Sequence, residues 1–316
     1  NNTAFGGAAG YSITTGAYNT AIGSAAMYGD TVTGSNNTAI GTNDASFNSP
    51  MRLITTADSN VAIGNGSMSA LTTGAQNTAV GRATMVQATT ASYNTALGFY
   101  SLYNVTVGVS NTAVGYQAGY SSTEATHIVA LGYQAAYSNT AQTVVAVGFQ
   151  AGYYQTGADP GSNVLIGTQT NYNNVSGGAN TIVGHQAGYW NTATYNTYIG
   201  YGAGAQITTG GKNTIIGKYS GNEGGLDIRT SSNNIVLSDG KVGIGTSSPA
   251  TNNAAAVGLT VGNSGSGAAI QLNVNGGGGI FSGTDTINNP NFSYRMGHLN
   301  GTNRLEMSTN NNNSYA

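Results

Sequence analysis

Three histidines, ten acidic residues and twenty tyrosines are the groups in this 316-residue chain from which chemistry beyond packing could be built. The histidines are His127, His185 and His298, and the chain has no cysteine, so neither a thiolate metal site nor a disulfide framework is available. His127 has only Glu124 nearby, and His185 stands where other parts of the chain carry Tyr116, Tyr133, Phe149 and Tyr201. "GKVGIG" (240–245) lacks the Lys-Ser/Thr pair of a phosphate loop. The acidic residues are too dispersed for a carboxylate pair and lack EF-hand spacing. These absences read as a non-enzymatic chain with no cofactor and no metal.

The aromatic residues carry more. Tyr120, Tyr137, Tyr153, Tyr172 and Tyr189 recur at near-constant spacing, followed at the end by Trp190. Two chemistries fit such rows: aromatic ladders stacked inside a repeat fold, or a strip on which sugar rings lie. Stacking is the favoured reading; Tyr120, Tyr137, Tyr153, Tyr189 and Trp190 remain candidate glycan contacts. A recurring Asn has a similar pair of readings, with amide-to-amide hydrogen bonding along a stack favoured over ligand presentation.

The elements that must position these rows follow from a repeat. The unit Asn-Thr-Ala-(apolar)-Gly places its glycines at 6, 23, 41, 64, 81, 98, 115, 132, 148, 167, 184, 200 and 217. Seven of the twelve intervals are 17 residues, which chance does not produce. The residue before every one of these glycines is apolar, and the first position is Asn in all but Ile128 and Val144. Five residues of alternating character predict a short strand, with the apolar residue and the Thr or Val two before it on one face. That face is expected to be the buried one, which argues against an exposed Thr array of the ice-binding kind. In "ITTGAYNT" (13–20), "LTTGAQNT" (71–78) and "ITTGGKNT" (207–214), the glycine is expected to supply a positive φ for a turn. One such unit cannot bury its own apolar face, whereas thirteen stacked coils make a rod of roughly 60 Å. The fold class is all-β, a parallel β-solenoid. Helix is the competing reading, and fixed Gly and Asn positions with two-residue alternation count against it.

Composition agrees. Only 6% of residues are charged, the net charge is −2, and no apolar run approaches the ~18 residues of a membrane span. Nucleic-acid binding, which leans on Lys and Arg, and membrane insertion are not expected. The chain begins at Asn1, inside a repeat, and is read as a processed or partial product.

"NTAIGSAA" (19–26) and "SNVAIGNGSMSA" (59–70) resemble the head repeats of YadA-type trimeric autotransporter adhesins, and "NTAVGYQAGY" (111–120) resembles repeats of phage tail fibres. "NNIVLSDGKVGIGTSSPA" (233–250) resembles the segment that follows such repeats in many tail fibres. The resemblance implies left-handed β-rolls joined as a homotrimer, a β-rich shaft beyond them, and a role in attachment outside the cell. It implies a virion tail fibre first, and a bacterial surface adhesin or extracellular filament second.

Nine successive units place Ala on the face opposite the Thr, including Ala79, Ala96 and Ala113, and the last four place Leu165, Ile182, Tyr198 and Ile215 there. This face is expected to be the interchain contact, with the assembly widening or repacking near residue 160. The repeat region is expected over 1–220 with an insertion loop at 42–59 displaying Pro50 and Arg52. A transition over 221–250, turning at Asp239-Gly240, then leads to a β-rich segment at 251–316 that ends in a flexible tail.

Overall fold

A computed structural model describes residues 1–43, 48–139, 143–156, 162–224 and 226–238, with the backbone of four strands between 281 and 315. The chain divides into two units, 1–242 and 243–316. Among the described residues there is no helix, and none is therefore long and apolar enough to cross a membrane.

The first unit is a parallel β-solenoid. Each Asn-Thr-Ala-(apolar)-Gly unit contributes one strand of three or four residues, and the strands stack in sequence order into a single sheet of fourteen. Register is strictly repeat on repeat: Thr95, Ala96 and Leu97 pair with Thr112, Ala113 and Val114, which pair with Val129, Ala130 and Leu131. The fourteenth strand, Ile235–Leu237, pairs with Thr214–Ile216, so the sheet runs past the boundary expected at 220. A two-residue hairpin, Asn222–Glu223 with Leu226–Asp227, is inserted just before it. The turn expected at Asp239-Gly240, and all of 241–280, lie outside the described residues.

The two faces of the sheet are the reverse of expectation. Ala79, Ala96 and Ala113 are fully buried inside the coil of a single chain, and so are Leu165, Ile182, Tyr198 and Ile215. They cannot be the interchain face. The Thr column and the apolar column before Gly point outward instead: Thr95 is exposed, and Leu97 and Ile216 keep 47% and 46% of their surface. The interior of so short a coil is narrow, and it is filled from its opposite wall as well.

That wall explains the change near residue 160. The position four residues after the repeat glycine carries Met27, Met68, Met85 and Leu102 in coils whose strand carries Ala, all fully buried. From the next coil on it carries Gly119, Ala136, Gly152, Asn171, Gly188 and Gly204. A Cβ on Gly152 would stand 2.8 Å from Leu165, one on Gly188 2.7 Å from Ile182, and one on Gly204 2.7 Å from Tyr198. Large strand residues are thus accommodated by deleting the side chain they meet, and the repacking is internal.

The repeat glycine is required twice over. Gly81 has φ 135°, and a Cβ there would lie 2.7 Å from the carbonyl oxygen of Gly98 in the next coil. Gly74, of the "LTTG" turn, has no positive φ; it is glycine because the backbone of Ala91 passes directly against it. The left-handed residue of that turn is Gln76, two positions on. Non-glycine residues take this conformation at three corners of a coil, as Tyr93, Tyr100 and Leu102 show. Their amides donate to neighbouring coils, Tyr93 to Ala75 and Leu102 to Ala118, which offsets the ~1–2 kcal/mol of each such corner.

The column of Asn runs inside the coil. Asn94 donates through Nδ2 to Asn77 Oδ1 (3.0 Å) and to the carbonyl of Gly108 (2.9 Å), and its Oδ1 accepts from the amide and side chain of Asn111. The ladder is broken where Ile128 and Val144 replace Asn and resumes with Asn163, Asn180, Asn196 and Asn213.

The insertion is shorter than expected. Ser49, Pro50, Met51, Ile54 and Ala57 are all buried, so the expected loop does not extend over them and Pro50 is not displayed.

The second unit contains a four-stranded antiparallel sheet, Phe281–Asp285, Phe292–Leu299, Thr302–Thr309 and Ser314–Tyr315. Ser314–Tyr315 pairs with Met307 and Ser308, so the expected flexible tail includes a paired strand.

Gly81→Ala is expected to destabilise the solenoid by about 2–4 kcal/mol through left-handed strain and the inter-coil clash, measured by urea unfolding. Tyr198→Ala should cost about 3–5 kcal/mol by opening a cavity. Tyr198→Phe should cost nothing, because the buried hydroxyl has no hydrogen-bond partner, Asn213 beside it not reaching bonding geometry.

Candidate functional site

The outer surface of the solenoid carries columns set by position within the repeat. Five residues after the glycine, Tyr120, Tyr137, Tyr153, Tyr172 and Tyr189 stack face to face, 4.8–5.1 Å between ring centroids and 5–15° from parallel. Tyr103 extends the stack below Tyr120 at 5.2 Å; "GFYSLY" departs from the "GYQAGY" pattern, which hid it from sequence reading. Tyr100 and Tyr154 close on this column edge-on. A second column, directly after the glycine, stacks Tyr116, Tyr133 and Phe149, and His185 stacks on Tyr201 at 5.0 Å. Between them Gln117, Gln134, Gln150, Gln169 and Gln186 form an amide ladder with donor–acceptor distances of 2.7–3.2 Å.

This geometry separates the glycan candidates. A sugar stacks on the face of a ring, and the faces of Tyr120, Tyr137 and Tyr153 are occupied by their neighbours. The stack is a structural ladder. Tyr189 is its last ring, and Trp190 stands nearly perpendicular to it, centroids 5.1 Å apart and planes at 73°, with 54% of its surface exposed.

Trp190 borders an open cleft of about 380 Å³, lined otherwise by Gln206, Thr208, Asp227, Arg229 and Thr230. Successive coils place these side chains beside one another. The Trp190 amide donates to Ala205, the residue before Gln206, and the Thr208 amide donates to Arg229. The hairpin inserted after the last regular coil carries Asp227 and leads into Arg229. Arg229 donates through Nε and Nη2 to Asp227 Oδ1 and Oδ2 at 3.0 and 2.7 Å. Those two bonds, with a third from the Arg229 amide, hold the Asp227 carboxyl down at about 2. Sequence reading named Trp190 and missed the other five: Gln206 and Thr208 hold ordinary repeat positions, and Asp227, Arg229 and Thr230 stand outside the repeat, where the return of charge after residue 220 was the only signal.

The histidines assemble nothing. His127 is an exposed corner residue with φ 60°, equivalent to Ser110 and Tyr93, and His185 belongs to the aromatic column. His298 falls on Phe292–Leu299, where its side chain lies outside the described residues. Among the described residues no three His, Asp or Glu gather in a way that could hold a metal ion. No family model, no curated protein and no solved structure matches the chain.

Burial first, then the hydroxyls of Tyr137, Tyr154 and Tyr172, push the Tyr153 pKa from 10.0 up to about 12, and Tyr120 and Tyr172 are raised for the same reasons. The folded stack therefore favours neutral phenols. Its contribution is complete below the ordinary pKa and is lost as pH climbs from about 10 towards about 12, where the unfolded chain ionises first. Melting temperature is expected to fall across that window, and less steeply in Tyr153→Phe; equal slopes would show the stack to be uncoupled from stability.

Proposed function

We propose that this chain is a fibrous attachment protein that works outside the cell as a homotrimer, most like a virion tail fibre. The observation that carries the reading is the outward face of the sheet. Fourteen strands in register present one column rich in Thr and Val and one of Ile, Val and Leu, the latter half exposed along its whole run. A continuous apolar strip of this length on a soluble surface marks an interaction site. A flat strip that repeats along an axis is best covered by the same strip of another copy, and cyclic association of three chains closes it without an open edge. The interchain face is thus the Thr/apolar face and not the Ala face. The resemblance of "NTAIGSAA" and "NTAVGYQAGY" to trimeric repeat proteins supplies the number three.

A stiff, stacked, nearly uncharged rod suits mechanical reach. The surface adhesin or extracellular filament subunit is the alternative, built on the same fold and the same strip. Neither reading involves an enzyme: the charged residues of the solenoid are few and scattered, and the Asp227–Arg229 pair is engaged with itself.

Light scattering is expected to give three times the 31.8 kDa chain mass, and Leu97→Asp with Ile166→Asp should reduce it to one chain with the β-sheet circular dichroism retained. A wild-type mass of one chain would overturn the trimer, and thermal hysteresis of that monomer would assign the exposed Thr column to ice.

A further inference from the structure

We infer that the cleft at Trp190 is a carbohydrate site that takes a neutral hexopyranose, as a terminal sugar or a disaccharide end; this rests on the attachment reading and names its ligand class.

The indole is the first argument. In other coils the position of Trp190 is held by Asn104, Ser121, Ser138, Tyr154 and Asn173. Tyr154 leans back onto the tyrosine stack, closing on both Tyr153 and Tyr172. Trp190 instead meets only the last ring, edge to face, and leaves more than half of a large apolar surface open beside polar groups. An open indole next to hydrogen-bonding side chains is what a pyranose needs: its C–H face packs on the ring while its hydroxyls turn to the polar wall.

The polar wall is the second. Gln206 and Thr230 make no side-chain hydrogen bond with any described residue, so a carbonyl, an amide and a hydroxyl are free for a ligand. Asp227 and Arg229 orient each other through two side-chain bonds while each stays about half exposed, at 49% and 46%. Paired in this way they present a fixed acceptor and a fixed donor, the arrangement that recognises vicinal hydroxyls with little ordering cost. Thr208 Oγ1 donates to the Arg229 carbonyl (3.3 Å), which ties this wall to the coil beneath.

Charge and size select the class. The pair leaves the cleft electrically neutral, so an anionic sugar would have to displace Asp227 from Arg229. A volume of about 380 Å³ sits near the lower end of the ~300–1,000 Å³ range of small-ligand sites, enough for one or two rings and not for a long chain along the rod. The site also lies past the end of the tyrosine ladder, where the repeat gives way to the hairpin.

Trp190 is the only tryptophan, so its emission reports on the cleft directly. The full chain would be titrated with the methyl glycosides of glucose, galactose and mannose at millimolar concentrations. A saturable shift in emission with at least one glycoside is expected, weakened about tenfold or more in Arg229→Ala by loss of a charged hydrogen-bonding group. Retention on an agarose bearing the same sugar should be lost in Trp190→Ala. Unchanged melting and near-ultraviolet dichroism of the tyrosine stack establish that both variants are folded. Binding of the fluorescently labelled chain to a panel of bacterial cells is measured in parallel. Cell binding with no glycoside response, or a response unaffected by Arg229→Ala, would overturn the sugar site and leave the attachment reading standing. A glycoside response without cell binding would support the cleft and count against attachment.

Discussion

Every residue of the solenoid rests on its counterpart one coil away, at the spacing of neighbouring β-strands, and the side chains that survive in the repeat are those that tolerate their own image at that distance. Backbones closest to one another have no room for a Cβ, hence the glycines at 81, 98, 115 and 132, each of which would drive a methyl group into the next. Amides satisfy themselves, because Asn Nδ2 donates to the Oδ1 of the Asn below, and Gln does the same on the surface. Rings stack. A charge in each coil would repel along the column, and the repeat region is correspondingly almost free of Lys, Arg, Asp and Glu.

Stacking fixes the coil perimeter and with it the interior volume. That volume is shared between the strand and the wall facing it, so neither is free to vary alone. Met68, Met85 and Leu102 fill the coils whose strands carry Ala62, Ala79 and Ala96, whereas Leu165, Ile182 and Tyr198 each lie against a glycine, Gly152, Gly188 and Gly204. Close packing couples the two walls, within a coil and between neighbouring coils, since a methylene too many or too few is felt at once in so thin a core. Tyr198 fits where Ala96 stands elsewhere because Gly188 and Gly204 leave it room.

The repeat, the strand positions and the parallel stacking were legible in the sequence, because a fixed Gly and a two-residue alternation leave few alternatives. Which face looks inward was not. Placing the larger residues of a strand in the core is a rule that holds where two thick layers pack and fails inside a coil whose far wall already fills it. The compensating signal was present: Gly152, Gly188 and Gly204 stand where earlier coils carry Met68, Met85 and Leu102, beside the strands of Leu165, Ile182 and Tyr198. The cleft was legible only in its Trp190. Asp227 and Arg229 reach it through a hairpin that interrupts the repeat, and position within a repeat says nothing about residues outside it.

The rod, its outward apolar strip and the polar cleft where the regular coils end are consequences of the same stacking and of its interruption. Diffraction from aligned specimens tests that stacking most directly. Coils stacked in register along the rod predict a strong reflection at about 4.8 Å along the rod axis. Its absence from that axis, or its appearance only at right angles to it, would contradict the account.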